Sequence, residues 1–341
     1  MYRSLNIDSL GITGRQSELI ELALSYRFKG LELDMEGYAR QVETKGIEHA
    51  NRCIESAKKT TVGLNVDAWE IPVDWDAEEE TIKTQIAKLP TLANAAKGID
   101  ATRCVTIVKP GSNTLPLKDN FDFYASKLNE IGELLAPHGI SLGVGFQAAA
   151  KARADYEFEF VHTAETLLTL LSMVSASNVG LYLDTWNWHL GGGTTDQVVG
   201  LGIDKLIGVS VADIPADATA DSIELNQRML PDPAGVIPHA DLLTKLHELE
   251  FPGPVAPVPH VSQYKGITRD KLVAKVAEAL RSVWPGADLL EEAETEAAER
   301  GEQPAEKPAA DEKPAEGEKP EGEANAETNG EADTEAKKPV A

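Results

Sequence analysis

The 341-residue sequence has few of the features that build disulfide-rich, membrane-spanning or nucleic-acid-binding proteins. Its two cysteines, Cys53 and Cys104, are far apart and form no Cys-x-x-Cys pair, so we expect a reducing, cytoplasmic compartment. No apolar run is long enough to cross a bilayer and no secretion signal is visible, so no membrane contact is expected. The formal net charge is −24 with no lysine- and arginine-rich run, which argues against binding to nucleic acid.

The segment 287–341 has no Phe, Tyr or Trp and consists mainly of Glu, Ala, Lys, Pro and Gly. It holds 18 acidic and 6 basic residues, so half of the net charge lies there. A segment with so little apolar surface cannot offset the entropy of ordering it. The sequence therefore predicts a folded domain over residues 1–286 and a disordered acidic tail over 287–341.

Short apolar runs alternate with longer amphipathic stretches along residues 1–286. The runs predict strands at Leu5–Ile7, Gly30–Leu33, Val62–Val66, Cys104–Val108, Ser141–Phe146, Gly180–Leu183, Ile207–Val211 and Gly253–Val258. The amphipathic stretches predict helices at Ser17–Phe28, Thr44–Lys59, Ala77–Lys97, Asn120–Ala136, Thr163–Ser175, Thr195–Leu201, His239–Leu249 and Thr268–Val283.

Eight strands in strict alternation with eight helices indicate an α/β fold, and the count of eight favours a closed (β/α)₈ barrel. An open dinucleotide-binding sheet is the alternative. However, no Gly-x-Gly-x-x-Gly motif follows the first strand, and no Gly-x-x-x-x-Gly-Lys-Ser/Thr motif occurs.

Functional residues of such barrels lie on the loops that follow the strands, at one mouth of the barrel. In this sequence those loops carry acidic residues, with a histidine and tryptophans beside them. The candidates are Glu32 and Asp34 after strand two, Asp67 after strand three, Asp184, Trp186, Asn187 and His189 after strand six, and Asp213 after strand seven.

Some of these candidates also have a purely structural interpretation. Glu32 and Asp34 could cap helices or form ion pairs at the rim of the barrel. Asp184 directly follows an apolar strand, where a buried carboxylate is costly unless it is paired or bound to a metal, so a site residue is favoured. The run Gly191–Gly193 suits either a phosphate cradle or a turn, and the turn is favoured.

Several stretches resemble the xylose-isomerase-like TIM-barrel superfamily, which contains sugar isomerases, sugar epimerases and inosose-type dehydratases. They are Gly-Leu-Glu-Leu-Asp at 30–34, Gly-Ile-Ser-Leu-Gly-Val at 139–144, Val-Gly-Leu-Tyr-Leu-Asp-Thr-Trp at 179–186, Arg-Met-Leu-Pro at 228–231 and Leu-Glu-Phe-Pro-Gly-Pro-Val at 249–255. The resemblance covers nearly the whole of residues 1–286 and implies a TIM barrel that acts on a sugar or polyol.

The resemblance also implies a divalent metal ion, such as Mn²⁺, Mg²⁺, Co²⁺ or Zn²⁺, held by Glu, Asp, His and Glu on strands five to eight. The position of the strand-six Asp is Asp184, but the other three positions carry Gly145, Ser210 and Val258. Because glycine and valine offer no side-chain donor, we expect little specific metal binding. Proton transfer between adjacent sugar carbons also needs two positioned bases, and both expected glutamates are absent.

Two functional hypotheses follow. In the first, the chain is an enzyme that acts on a sugar or polyol, with a rearranged site. Its metal ligands or bases would come from Asp184, Asp213, His189 and His260, and its substrate contacts from Glu32, Asp34, Asp67, Trp186, Asn187 and Arg228. In the second, the barrel is catalytically inactive and serves as a binding or scaffold module.

A homo-oligomer is compatible with either hypothesis. A DNA-repair endonuclease of the same superfamily is excluded, because the multi-zinc ligand set is absent and the domain is acidic.

The tail gives the first testable prediction. Truncation after Gly286 should leave the melting temperature of the domain nearly unchanged, because a solvated segment contributes no buried apolar contacts. Calorimetry of the full and truncated chains measures this directly. A fall of several degrees would mean that the tail packs on the domain.

Overall fold

In a computed structural model, which describes residues 1–286, strands and helices alternate along the chain. The strands are β1 Tyr2–Leu5, β2 Gly30–Leu31, β3 Asn65–Val66, β4 Trp69–Glu70, β5 Arg103–Ile107, β6 Gly111–Ser112, β7 Ser141–Gly145, β8 Phe158–Glu159, β9 Val179–Asp184, β10 Leu206–Val211 and β11 Pro254–Pro257. The α-helices are α1 Gln16–Ser25, α2 Met35–Lys45, α3 Ile47–Lys58, α4 Glu79–Ile86, α5 Leu89–Lys97, α6 Leu117–Leu135, α7 Ala150–Arg153, α8 Ala164–Met173, α9 Thr185–Leu190, α10 Thr195–Leu201, α11 His239–Glu248 and α12 Arg269–Ser282. Short 3₁₀ turns occur at Ala136–His138, Ile203–Lys205 and Val261–Tyr264.

Nine parallel strands form one curled sheet in the order β3-β2-β1-β11-β10-β9-β7-β5-β4. The two end strands, β3 and β4, are separated only by Asp67 and Ala68, so they are two halves of one barrel strand. The first half pairs with β2 and the second with β5, which completes the ring. The predicted (β/α)₈ barrel is therefore confirmed. The remaining strands, β6 and β8, form a small antiparallel pair beside it.

All eight predicted strands fall in the ring, although the first begins three residues earlier than predicted. The predicted helix Thr44–Lys59 corresponds to α3, and α2, which precedes it, was not predicted. Between α2 and α3, Gly46 has a φ of 81°, a left-handed value that ends a helix. The predicted helix Ala77–Lys97 is divided into α4 and α5. Between α4 and α5 the chain turns just before Pro90, which has no amide hydrogen to continue the first helix. Like α2, helices α7 and α9 were not predicted, and these two are too short to give a periodic pattern.

The main core lies between the outer surface of the ring and the surrounding helices. Successive residues of a strand face opposite sides, so Leu142 and Val144 of β7 and Leu181 and Leu183 of β9 are fully buried beneath the helices. The alternate positions of these two strands face the interior of the barrel.

A second, smaller apolar cluster lies over the ends of β7, β9 and β10, and we call it the mouth cap. It consists of Ala149, Trp186, Ala212, Ile214, Ile223 and Ile237. Polar contacts reinforce it: the Ala150 amide donates to the Ala220 carbonyl at 2.8 Å, and Lys151 forms an ion pair with Glu224. The mouth cap closes this half of the barrel mouth, whereas the half at β1 to β4 stays open.

No helix among residues 1–286 has the length and apolar character needed to cross a bilayer. The predicted acidic tail, 287–341, lies outside the described residues.

Close packing inside the ring predicts which glycines are essential. A Cβ atom on Gly180 of β9 would lie 2.1 Å from the Lys205 carbonyl oxygen, so Gly180→Ala should lower the free energy of unfolding by about 1–3 kcal/mol. Gly200 of α10 is the matched control, because its Cβ would meet nothing within 4 Å. Since alanine favours helices, Gly200→Ala should raise stability by up to about 1 kcal/mol. Urea denaturation distinguishes the two, and equal effects would contradict the packing argument.

Candidate functional site

The open half of the barrel mouth contains a pocket of about 630 Å³ that we call the acidic pocket. Its apolar lining includes Ile71, Pro72 and Val73. Six carboxyl groups also line it: Asp8, Glu32, Asp34, Glu36, Glu70 and Asp74. Two of these, Glu32 and Asp34, were predicted as site residues from their position after strand two.

Glu32 is the most perturbed carboxyl group of the pocket. Burial raises its pKa well above the ordinary value, and the nearby charges of Asp67, Asp8 and Glu70 raise it further. The Asn6 side-chain amide donates a hydrogen bond to Glu32 Oε2. Because the ionised form is disfavoured, Glu32 retains a proton at a higher pH than an exposed glutamate.

Asp67, also a predicted site residue, lies in the gap between β3 and β4 and is 6% exposed. One carboxylate oxygen accepts a hydrogen bond from the Ala68 amide at 2.6 Å. Burial raises its pKa to about 6. Glu70, at the end of β4, is perturbed in the same direction by burial and by the charge of Asp8, while Lys109 opposes the rise. Glu32, Asp67 and Glu70 therefore hold protons more tightly than free carboxyl groups do.

Sequence reasoning missed Asp8 and Glu70. Both carry the signal that was used for the others, because Asp8 follows the first strand and Glu70 follows Asp67 by three residues. Asp34, by contrast, lies on the exposed rim. It caps α2 by accepting a hydrogen bond from the Gly37 amide at 2.8 Å and lies 3.9 Å from Arg40, which matches the structural alternative for this residue.

In the closed half of the mouth, Asp184 is surrounded by donors from the protein itself. Its Oδ2 lies 2.7 Å from an Arg228 guanidinium nitrogen and 3.0 Å from Asn187 Nδ2. Its Oδ1 accepts from the Trp186 amide at 3.0 Å and from the Asn187 amide at 3.4 Å, so Asp184 caps α9. The Asp184 and Arg228 side chains are only 11% and 14% exposed.

The neighbours of this ion pair are held in place as well. Arg228 Nε donates to the Val258 carbonyl at 3.1 Å, and the guanidinium group lies 4.9 Å from the centre of the Trp186 ring. The Trp186 indole NH donates to the Gln227 carbonyl at 3.2 Å. Asn187 Oδ1 accepts from the Ala148 amide at 3.0 Å. These contacts tie the loops after β7, β9 and β10 together beneath the mouth cap.

The other predicted residues do not converge on the acidic pocket. Asp213 is buried and accepts hydrogen bonds from three backbone amides, those of residues 214, 236 and 237, at 2.8 to 3.2 Å. His189 is exposed at the end of α9. His260 Nδ1 lies 2.7 Å from Ser262 Oγ, at the start of a 3₁₀ turn. The roles proposed for these three residues in binding or chemistry stay predictions.

One buried histidine was not singled out from the sequence as a site candidate. His239, at the start of α11, is 1% exposed, and its Nε2 lies 3.1 Å from Thr185 Oγ1. Burial lowers its pKa, and the charge of Asp213 opposes that change. Because it lies at the first position of a predicted helix, its sequence context gave no sign of burial.

The positions at which the resemblance implies metal ligands have well-defined surroundings. A Cβ atom on Gly145 would lie 2.6 Å from Ile107 Cδ1 and 3.2 Å from Tyr182 Cδ1. Ser210 is 1% exposed and is the register partner of Asp184. Within residues 1–286, no group of three or more His, Cys, Asp or Glu side chains is arranged to hold a metal ion.

Comparisons with known proteins agree with this architecture. A family model described as a xylose isomerase-like TIM barrel matches residues 20–283. Among solved structures, a xylose isomerase domain protein from Alicyclobacillus acidocaldarius has a TM-score of 0.72 at 18% identity, with 84% of this chain and 99% of that chain covered.

Two further structures have similar scores. The IOLI protein, determined with a binding zinc atom, has a TM-score of 0.69 at 16% identity and covers 83% of this chain and 98% of its own. D-psicose 3-epimerase from Clostridium cellulolyticum H10, determined with D-tagatose, has a TM-score of 0.62 at 14% identity and covers 82% and 97%. Comparison with curated protein sequences gives no match. At these identities the similarity shows the fold.

The raised pKa of Asp67 predicts a pH dependence of stability. In the folded state the pKa of Asp67 is about 6, against an ordinary value of 3.8. The folded state therefore becomes less stable, relative to the unfolded state, as the pH rises from about 3.8 to about 6. Asp67→Asn, which keeps an acceptor for the Ala68 amide, should therefore raise stability by up to about 3 kcal/mol at pH 7.5 and by much less at pH 4.

Denaturation of both proteins at the two pH values tests this expectation. Asp34→Asn is the matched control, because Asp34 is exposed and asparagine caps helices equally well. The same gain for Asp67→Asn at both pH values would show that the charge of Asp67 is not the cause.

Proposed function

We propose that this chain, which belongs to the xylose isomerase-like TIM barrel family, binds a neutral sugar or polyol in the acidic pocket without a divalent metal ion. The observation that carries the proposal is the Asp184–Arg228 ion pair, with its 2.7 Å contact. It neutralises the one carboxylate at the metal-ligand positions that the resemblance implies. The open, carboxyl-lined space of the mouth lies on the other side of the barrel.

The residues at those ligand positions do not fit a divalent ion. Such an ion needs several oxygen or nitrogen donors in a fixed geometry. Gly145 has no side chain, and Ile107 and Tyr182 occupy the space that one would need. A cation beside Asp184 would also have to displace or repel the Arg228 guanidinium group, which is itself positively charged.

The chemistry of the acidic pocket favours a ligand with many hydroxyl groups and no negative charge. Ionised carboxylates accept hydrogen bonds from sugar hydroxyls, and a carboxyl group that keeps its proton, as Glu32 does over an extended pH range, also donates one. Phosphate or carboxylate groups on a ligand would be repelled by the six carboxyl groups that line the pocket. Ile71, Pro72 and Val73 offer an apolar surface for the carbon-bound hydrogens of a sugar ring.

A second candidate function is metal-independent acid–base catalysis on the same ligand. It is favoured by Glu32 and Asp67, whose unequal environments give two neighbouring carboxyl groups with different proton affinities. A pair with unequal proton affinities can present one protonated and one ionised group, the combination that proton transfer to and from a substrate requires. In the first candidate function Glu32 only binds.

Isothermal titration calorimetry of the full chain tests the binding proposal with D-tagatose, D-fructose, D-xylose and myo-inositol, each with and without EDTA. We expect at least one to bind equally well in both conditions, and no binding of D-fructose 6-phosphate. Glu32→Gln should weaken binding by up to about tenfold, because an amide group is a weaker hydrogen-bond donor than the carboxyl hydroxyl of a protonated glutamate.

Glu36→Gln is the matched control, since Glu36 lies on the exposed rim of the same pocket. Loss of binding in EDTA, with recovery in Mn²⁺ or Mg²⁺, would overturn the metal-independent proposal. Conversion of a bound sugar to its isomer or epimer in EDTA, with a rate that Asp67→Asn abolishes, would establish the second candidate.

A further inference from the structure

Asn6 directly follows β1 and lies beside Glu32, which directly follows the neighbouring strand β2. Leu5 of β1 is the register partner of Leu31 of β2, and the Glu32 amide donates to the Leu5 carbonyl at 3.3 Å. The residues that come next, Asn6 and Glu32, are therefore also adjacent. Leu5 and Leu31 are fully buried in the main core outside the ring. Because side chains alternate along a strand, Asn6 and Glu32 both face the interior of the barrel.

Hydrogen bonds from two sides fix the Asn6 side chain in one orientation. Its Oδ1 accepts from the Ser9 backbone amide at 2.8 Å, as asparagine side chains commonly do in turns. The Ser9 hydroxyl also donates to the Asn6 carbonyl oxygen at 3.3 Å. At the other end of the same amide group, Nδ2 donates to Glu32 Oε2. The acceptor and donor ends of an amide turn together, so the loop after β1 sets the direction of the donor to Glu32.

This contact acts on the acidic pocket through Glu32. Glu32 lines the pocket, and Asn6 is not among the residues that line it. With Oε2 held by Asn6, Oε1 is the carboxyl oxygen left for a ligand. When Glu32 keeps its proton, the oxygen without the proton is the better acceptor. The proton then lies on Oε1, which becomes a hydrogen-bond donor.

We propose that Asn6 is a positioning residue for the sugar or polyol, which holds Oε2 of Glu32 so that Oε1 faces one oxygen of the ligand in a fixed direction. This inference rests on the proposed function and adds a residue that acts without touching the ligand. A glutamate side chain has several rotatable bonds, and ordering it before the ligand binds lowers the entropy lost on binding. A group fixed in this way also rejects a ligand that lacks the matching oxygen.

Asn6→Ser tests the positioning role, because serine can accept from the Ser9 amide but is too short to reach Glu32. Calorimetric titrations with D-tagatose, D-fructose, D-xylose and myo-inositol compare the wild-type chain, Asn6→Ser, Glu32→Ala and the double variant. Asn6→Ser should bind the preferred ligand about three- to tenfold more weakly, as expected for one hydrogen bond. In the Glu32→Ala chain the same substitution should change the affinity by less than about twofold, because no carboxyl group is left to position.

A merely structural role for Asn6 would weaken binding by the same factor with and without Glu32. Equal losses in the two backgrounds would therefore overturn the inference. Asn51→Ser is the matched control, because Asn51 accepts from the Tyr38 hydroxyl and donates to the Gly98 carbonyl at 3.0 Å, and it does not line the acidic pocket. This variant also removes a bridging asparagine, and it should bind the ligand as the wild-type chain does.

Asn6→Asp provides a second variant in case serine weakens the loop after β1. Aspartate keeps the acceptor for the Ser9 amide and presents an oxygen to Glu32 in place of the donor. It should weaken binding at least as much as Asn6→Ser does, with the melting temperature of the free chain showing that the variant is folded. If the wild-type chain binds none of the four ligands, the proposed function is wrong and the inference falls with it. If the wild-type chain binds and both Asn6 variants match it, only the inference is wrong.

Discussion

The ion pair between Asp184 and Arg228 organises the closed half of the barrel mouth. A carboxylate at the end of a buried strand must be stabilised by a metal ion, by hydrogen bonds or by a cation. Here Arg228, Asn187 and two backbone amides supply all of its partners. Arg228 reaches Asp184 from the long loop after β10, so the pair fixes that loop to the start of α9. Removing either side chain of the pair would leave the other as a largely buried charge without a counterion.

The mouth cap depends on this arrangement. Trp186 follows Asp184 by two residues, and its ring faces the Arg228 guanidinium group on one side. The other members of the cap come from the loops after β7 and β10, which Asn187 and Asp213 hold through hydrogen bonds to backbone amides. Polar contacts thus position an apolar cluster over half of the mouth. The ligand-accessible space is consequently found at β1 to β4, where carboxyl groups accumulate.

Burial and charge repulsion give the acidic pocket its chemical character. Burial raises the cost of ionising Glu32, Asp67 and Glu70, and nearby carboxylate charges raise it further for Glu32 and Glu70. This energy is a stability penalty for the fold near neutral pH. A ligand whose hydroxyl groups donate hydrogen bonds to these carboxyl groups would offset part of this stability penalty. Such a cluster therefore suits a neutral, hydroxyl-rich ligand and disfavours an anionic one.

The sequence alone predicted the ring of eight strands, because parallel strands covered by helices are mostly apolar and the eight short runs are nearly all apolar. It also placed Glu32, Asp67 and Asp184 at one mouth, since all three follow strands that run in the same direction. The division of that mouth into a closed and an open half was decided only by tertiary structure. Arg228 lies 44 residues from Asp184 in the sequence, and the residues around Arg228 do not predict that it pairs with Asp184. The packing of Tyr182 was likewise decided by tertiary structure, because the glycines beside its ring belong to two other strands that meet it only in the closed barrel.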